Sequence, residues 1–396
     1  MATMSIAHAD SSSIEKHLSM NGGLGVYSYT QNSSLQAELL QFVDGILMQA
    51  LNRLELPAAA AAQLGPLRIA DIGCSVGPNT IIAVNSIVNK LKGRFLSESR
   101  GKVPEFQAFF VDLPANDFNT LFRMLPNYVG SSCDAANDSS KRSYFAAGVS
   151  GSFYNRLFPS KSLHVVFSCA SLHWLSKIPT AVQDTRSPGW NKGSAWIYNA
   201  NRDVRKAYAQ QAHEDLVAFL NHRSCEMVSG GVLFALIGAR QPSVENEADE
   251  RDIADLWWYL FKEVDDAWKD LANRGLIDIA TIDTFNVPIY IRSLDEIHQA
   301  LRESGAFSIH VLEKKTLPKG VELIAGQEVE DPVAYGKRLA AFTRSWMGPL
   351  VEAHIGLELT DLLFQQVDRR VAAPDHVEHA KTLPLSVMII LSLVRN

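Results

Sequence analysis

From residue 35 to 51 the apolar side chains Leu35, Leu39, Phe42, Val43, Ile46, Leu47 and Ala50 recur at helical spacing and predict an amphipathic helix. The pattern then shortens. Leu67-Arg68-Ile69-Ala70-Asp71-Ile72 is a compact apolar run ending in a glycine-rich turn. Helical spacing resumes from Asn79 through Ile81, Ile82, Val84, Ile87, Val88 and Leu91. Strand, glycine turn and helix make the first half of a βαβ unit. The alternation continues with a strand at 106–111, a helix at 117–125, a buried strand at 163–169, a helix at 202–220 and a strand at 232–237 after the Gly230-Gly231 break. A polar loop is expected at 131–142, and Ala58 to Ala62 reads as the ragged end of a helix. Such alternation implies a doubly wound, mostly parallel α/β sheet that binds ligands at the carboxyl ends of its strands.

The texture changes after Pro242. Ile253, Leu256, Trp257, Leu260, Phe261, Val264, Trp268 and Leu271 form a helical stripe that stops at Gly275, a C-terminal capping signal. Another helix is expected at 333–353, and strand signals return at 307–312 and 387–394. The resulting division is a flexible N-terminus at 1–20, an α/β core at 21–240, a mainly helical cap at 241–355 whose strand near 307–312 returns to the core sheet, and a C-terminal segment at 356–396 that does the same.

Composition narrows the function. With 396 residues, 47% hydrophobic and 20% charged, the chain has ample material for a core. A net charge of −6 without a Lys/Arg run argues against nucleic-acid binding. Residues 1–20 lack an apolar core and carry Asp10 and Glu15, unlike a secretory signal or a transit peptide. The apolar stretch at 385–394 is too short to span a bilayer. Cys74, Cys133, Cys169 and Cys225 show no paired spacing, so a reduced, cytoplasmic protein is the simplest expectation.

The turn Asp71-x-Gly73-x-x-x-Gly77 lets backbone amides approach a ligand, although such an elbow can also serve packing alone. It lacks the spaced glycines of a dinucleotide fingerprint and the Gly-Lys-Ser/Thr of a P-loop. Asp112 ends the second strand, where its carboxylate can accept from a ribose diol or cap the next segment. A glycine loop and a strand-tip acid without a phosphate signature favour S-adenosylmethionine over NAD.

At this point the chain resembles the plant SABATH methyltransferases, which methylate salicylate, benzoate, cinnamate, jasmonate, indole-acetate or gibberellins at carboxylates and xanthines at nitrogen. The resemblance runs from about Met20 to the C-terminus. It is carried by Met20-Asn21-Gly22-Gly23, Ser28-Tyr29, Asn32-Ser33, Asp71-Ile72-Gly73-Cys74-Ser75-Val76-Gly77-Pro78-Asn79 and Asp112-Leu113-Pro114-Ala115-Asn116-Asp117-Phe118-Asn119. Gly151-Ser152-Phe153-Tyr154-Asn155-Arg156-Leu157-Phe158-Pro159, Ser171-Leu172-His173-Trp174-Leu175-Ser176, Asn191-Lys192-Gly193 and Phe285-Asn286-Val287-Pro288-x-Tyr290 continue it.

The resemblance implies a seven-stranded class I, Rossmann-like fold with an α-helical cap, and a homodimer. It places Tyr29, Ser33, Cys74, Asn79, Asp112, Leu113, Ser152 and Phe153, with Asp71 and Gly73 of the turn, at the cofactor. Gln36 and Trp174 match positions that hydrogen-bond the acceptor carboxylate, while Asn21, His173, Trp257, Trp258, Tyr290, Trp346 and Met347 match its surroundings. Trp257 or Trp258 could instead be core, His173 a satisfied strand-end histidine and Cys74 a small packing residue. For some relatives Mg²⁺ is implied near positions matching Asn191, Asp283, Phe285 and Asn286; one Asp with two Asn is a thin oxygen shell, and the chemistry does not require it. Two residues depart from the pattern: Asn21 where many relatives carry Lys, and Ala170 where many carry Tyr.

The expected reaction is methyl transfer to the carboxylate of a small acid, giving an ester and S-adenosylhomocysteine. A carboxylic acid with a pKa of about 4 to 5 is already ionised at neutral pH, so alignment rather than a general base carries catalysis. Trp174, Trp257, Trp258, Tyr290 and Trp346 suggest an aromatic guest resembling cinnamate, benzoate, salicylate or indole-acetate. The rival readings are a xanthine N-methyltransferase and a non-catalytic binding relative, while the missing glycine fingerprint counts against a nicotinamide dehydrogenase.

Overall fold

The computed structural model describes residues 15–56, 65–98, 103–129, 143–197, 200–240, 256–318, 331–383 and 385–396, without the side chains of 256–258. The expected loop at 131–142, the alanine run at 58–62, Cys133 and Ile253 lie outside the described residues.

Helix α1 (Ser34–Leu51) buries Leu35, Leu39, Val43 and Leu47, the face its spacing foretold. Strand β1 (Leu67–Ile72) is almost wholly buried and leads through the glycine turn into α2 (Pro78–Ser97). Gly77, at φ 126°, precedes Pro78 at the first turn, where a missing N–H costs no helical bond. Then come β2 (Phe106–Asp112), α3 (Phe118–Met124), β3 (Phe145–Ser150), β4 (Leu163–Cys169), α4 (Arg202–Glu226) and β5 (Met227–Ala239). The second half holds α5 (Leu256–Asn273), α6 (Leu294–Ser304), β6 (Phe307–Thr316), α7 (Pro332–Ile355), α8 (Leu357–Val371), α9 (Pro374–Thr382) and β7 (Val387–Arg395).

The sheet has seven strands in the order β3-β2-β1-β4-β5-β7-β6, parallel except that β7 runs antiparallel to both neighbours. This is the doubly wound architecture that the sequence implied. The chain leaves β1 toward β2 on one side and returns to β4 on the other, so the strand order reverses at β1. Ligands bind in the crevice that such a reversal opens.

Several elements differ from expectation. Gly230-Gly231 does not break the strand: β5 begins at Met227 and runs through Gly230 at φ 73°. The glycines accommodate a register shift against β4, where a Cβ on Gly231 would lie 3.0 Å from Val228 O and 3.1 Å from His164 O. β3 carried no strand signal because it is a half-exposed edge of Ala and Gly. α6 begins with a reciprocal capping box between Ser293 and Glu296 and ends at left-handed Gly305.

Candidate active site

A cavity of about 1500 Å³, its open mouth included, lies at the carboxyl edge of β1, β2 and β4 beneath α1 and α7. At one end of it Gly73 and Cys74 both donate backbone N–H bonds to Val111 O, at 2.8 and 3.0 Å. Gly73 needs to be glycine twice over: φ is 76°, and a Cβ would sit 2.4 Å from Ser171 Oγ. Ser75, also at positive φ, donates its N–H to Asp112 Oδ2 (2.7 Å), and Leu113 N donates to Oδ1 (2.8 Å). Asp112 does not cap the next helix, because Asp117 does, accepting from Thr120 N at 2.9 Å. Asp71 accepts from Thr80 Oγ. Asn79 donates to Ser33 O and Oγ at 2.9 and 3.1 Å, so Ser33 braces Asn79 from behind the lining. Tyr29, Ser152 and Phe153 complete the wall.

Burial sets the electrostatics here. It raises the Asp71 carboxyl to about 7, opposed by the Thr80 bond, and the Asp112 carboxyl to about 6, opposed by the Ser75 and Leu113 amides. It also pushes the Cys74 thiol upward, so Cys74 is no thiolate nucleophile at neutral pH. Two desolvated carboxylates beside an open cavity fit a cationic ligand.

At the other end Gln36, His173, Trp174 and Trp346 line the same cavity. Gln36 Oε1 is buried without a hydrogen-bond partner. The Trp174 and Trp346 rings meet edge to face at 6.1 Å, and Trp346 meets Phe261 at 5.6 Å. Burial and the charge of Arg292 lower His173 to about 4, so it is neutral near pH 7.

Residues 15–396 match a family model described as SAM dependent carboxyl methyltransferase. The chain is a carboxyl methyltransferase of this family. It is 38% identical over 369 residues to gibberellic acid methyltransferase 1 of Arabidopsis thaliana, covering 93% of this chain and 95% of that one. It is also 38% identical over 371 residues to indole-3-acetate O-methyltransferase 1 of the same plant, covering 93% and 92%. Among solved structures, loganic acid methyltransferase with SAH superposes with a TM-score of 0.81 at 31% identity, covering 95% and 98%. The SABATH resemblance and the use of S-adenosylmethionine are thereby established.

The methyltransferase places several expected residues off the cavity. Trp174 bridges Ile289, and adjacent residues of an extended segment face opposite ways, so Ile289 and Ile291 line the cavity. Tyr290 turns away, donating to Glu296 Oε1 at 2.7 Å under the Arg240 guanidinium. Met347 is fully buried in the core next to Trp346. Asn21 is used structurally: its amide donates to Arg344 O (2.7 Å) and its backbone N to Ser345 O (2.8 Å), pinning the N-terminal segment to α7. Trp257 and Trp258 belong to α5, but their side chains lie outside the described residues.

The residues considered for Mg²⁺ do not suit it. Asn191 Nδ2 donates to Asn286 Oδ1 (3.0 Å) and to two carbonyls, Asp283 Oδ1 accepts from Gly193 N (2.7 Å), and Phe285 packs on Trp268. Asn286 Oδ1 and Asp283 Oδ1 each already serve an N–H donor, and one carboxylate with two amides is a poor set for an octahedral oxygen shell.

Sequence reasoning missed Leu18, Met20, Leu40, Ile289, Ile291 and Met388, which give the cavity its aliphatic surface, and Thr80, which holds Asp71. Leu35 and Leu39, also lining it, were legible only as the apolar face of α1. The rest carried no motif.

Proposed function

We propose that this methyltransferase esterifies a small ring-bearing carboxylic acid of the indole-acetate kind, held by Gln36 and Trp174 against the Trp174–Trp346 corner. The observation that carries this reading is the unpartnered, buried Gln36 amide oxygen on the cavity it shares with Trp174 and the Asp71–Asp112 end. The amide can turn to present its N–H₂ to a carboxylate. Asp71, Gly73, Cys74, Asn79, Asp112, Leu113, Ser152, Phe153 and Tyr29 would hold the methyl donor, with Ser33 behind Asn79. When bound, S-adenosylmethionine supplies a sulfonium methyl that a carboxylate oxygen can take in one displacement.

The acceptor arrives ionised, so the chain need not remove a proton. Gln36 and Trp174 orient one oxygen and leave the other directed at the donor end. The leucines, isoleucines and Met388 exclude water, and Ala170 leaves room beside the ring. Alignment of this kind can lower a barrier by about 7–11 kcal/mol. The acceptor cap is formed by α5, α7 and α8, which pack on one another. The family resemblance supports a homodimer, and cysteines without paired spacing support a cytoplasmic setting. Among the described residues no helix is long and apolar enough to cross a membrane.

The test is mass spectrometry of incubations with S-adenosylmethionine and indole-3-acetate, gibberellic acid, benzoate, salicylate, cinnamate or xanthine. A methyl ester is expected. A product methylated only at a ring nitrogen, or none from any acid, overturns the proposal.

A further inference from the structure

The hexapeptide Ser171–Ser176 that delivers Trp174 to the cavity is not a regular element, yet its backbone is tied at every residue. Ser171 Oγ donates to Gly73 O (3.0 Å) and Cys169 O (3.1 Å), and Trp174 N to Ser171 O (3.1 Å). Tyr290 N donates to His173 O (2.9 Å), and Leu175 N to Pro288 O (2.7 Å). Three side chains outside the segment complete the set. Arg292 donates through Nη1 to Leu172 O and through Nη2 to Ala212 O of α4 (2.7 Å). Tyr154 donates its hydroxyl to Trp174 O at 2.5 Å. Asp215 of α4 accepts from Ser176 N (2.8 Å) and Ser176 Oγ (2.6 Å).

Arg292 is 1% exposed, and its Nε has no partner. Burying a guanidinium is costly even with the Asp215 carboxylate and the Tyr154 hydroxyl close enough to offset part of its charge, and apolar packing of that volume would stabilise the fold at least as well. Its placement is therefore better explained by what it holds. The planar fork spans two carbonyls at a fixed separation, one on α4 and one two residues before Trp174, which a flexible ammonium cannot reproduce.

We propose that Arg292, with Tyr154 and Asp215, is a positioning brace that sets the direction of the Trp174 indole toward the acceptor carboxylate. This rests on the reading of Trp174 as an acceptor-holding residue. Tyr154 also touches the cavity beside Phe153, whose ring centroid lies 4.7 Å from its own, so the brace reaches from α4 to the point where donor and acceptor meet. None of the three residues is needed as an acid or a base.

The experiment measures kcat and the acceptor KM for Arg292→Lys, Tyr154→Phe and Trp174→Phe, with the best acid of the panel above as probe. The S-adenosylhomocysteine Kd is read by calorimetry. Arg292→Lys and Tyr154→Phe are expected to raise the acceptor KM about 10-fold, since a small misplacement of a positioning group costs that much or more. The S-adenosylhomocysteine Kd should stay within about 2-fold, which a general loss of packing around the shared cavity would not allow. Tyr154→Phe keeps the ring, so the brace remains testable if Arg292→Lys folds poorly. If Trp174→Phe raises the acceptor KM but neither brace variant does, or if acceptor and cofactor constants move together, the brace is overturned. If Trp174→Phe itself leaves the acceptor KM unchanged, the reading of Trp174 fails, and the brace fails with it.

Discussion

Asp71 and Asp112 behave as buried acids awaiting a cation. Their folded pKa values, about 7 and about 6, lie above the ordinary carboxylate range. The free protein therefore holds protons there that the unfolded chain has lost. Their contribution to stability is full below about pH 4 and disappears as pH rises through 6 to 7. A cationic donor favours the ionised forms, so its binding releases these protons. Calorimetry should find S-adenosylmethionine affinity rising between about pH 5 and 7, and Asp112→Asn should flatten that rise; a flat wild-type profile would refute the assignment. Gln36 gives a second residue-scale prediction. Gln36→Ala should raise the acceptor KM about 10-fold with little change in the cofactor KM, as loss of one charge-assisted hydrogen bond would. Equal effects on both constants would remove Gln36 from the acceptor.

At the scale of elements, the pocket proposed for the methyl donor depends on an ion pair distant from the chemistry. Arg223 and Glu226, at the end of α4 and fully buried, bond through Nε–Oε2 at 2.7 Å. Arg223 also donates to Phe153 O (2.7 Å) and Asn155 O (2.9 Å), while Glu226 accepts from Leu157 N (2.5 Å) and Phe158 N (3.0 Å). The loop that carries Ser152 and Phe153 is thus hung on a helix terminus. Glu226→Gln leaves the guanidinium buried without its counter-charge, at a cost of about 3 kcal/mol. Thermal unfolding should register that loss, and the cofactor Kd should rise more than the acceptor KM.

The order of the elements was legible because periodicity is local: β1, α2, β2, β4 and α7 announce themselves within their own residues. β3 was not, because an edge strand of Ala and Gly gains its strand from β2 rather than from its own side chains. α8 and α9 were absorbed into an undivided C-terminal segment.

The whole molecule is closed by charges that no local pattern reveals. Arg370 of α8 reaches Glu263 (2.8 Å), Asp266 (3.2 Å) and Asp270 (2.8 Å) along one face of α5, and His376 adds a contact to Glu263 at 3.1 Å. Glu263 is almost fully buried, so Arg370→Met should destabilise by about 3 kcal/mol. If α5 and α8 shape the acceptor cap, the same variant should raise the acceptor KM while sparing the cofactor Kd; circular-dichroism melts and steady-state kinetics would show whether the two effects occur together.

The sequence alone determined most of the sheet-and-helix order and the glycine turn after β1, because strand and helix periods and a glycine elbow are written in consecutive residues. The acceptor end was decided by tertiary structure. Gln36, Trp174, Ile289, Trp346 and Met388 come from remote parts of the chain, and which faces meet depends on how the extended segment at 289–291 is seated against Trp174. A one-residue alternation turned Tyr290 toward Glu296 and put two isoleucines where an aromatic wall was expected.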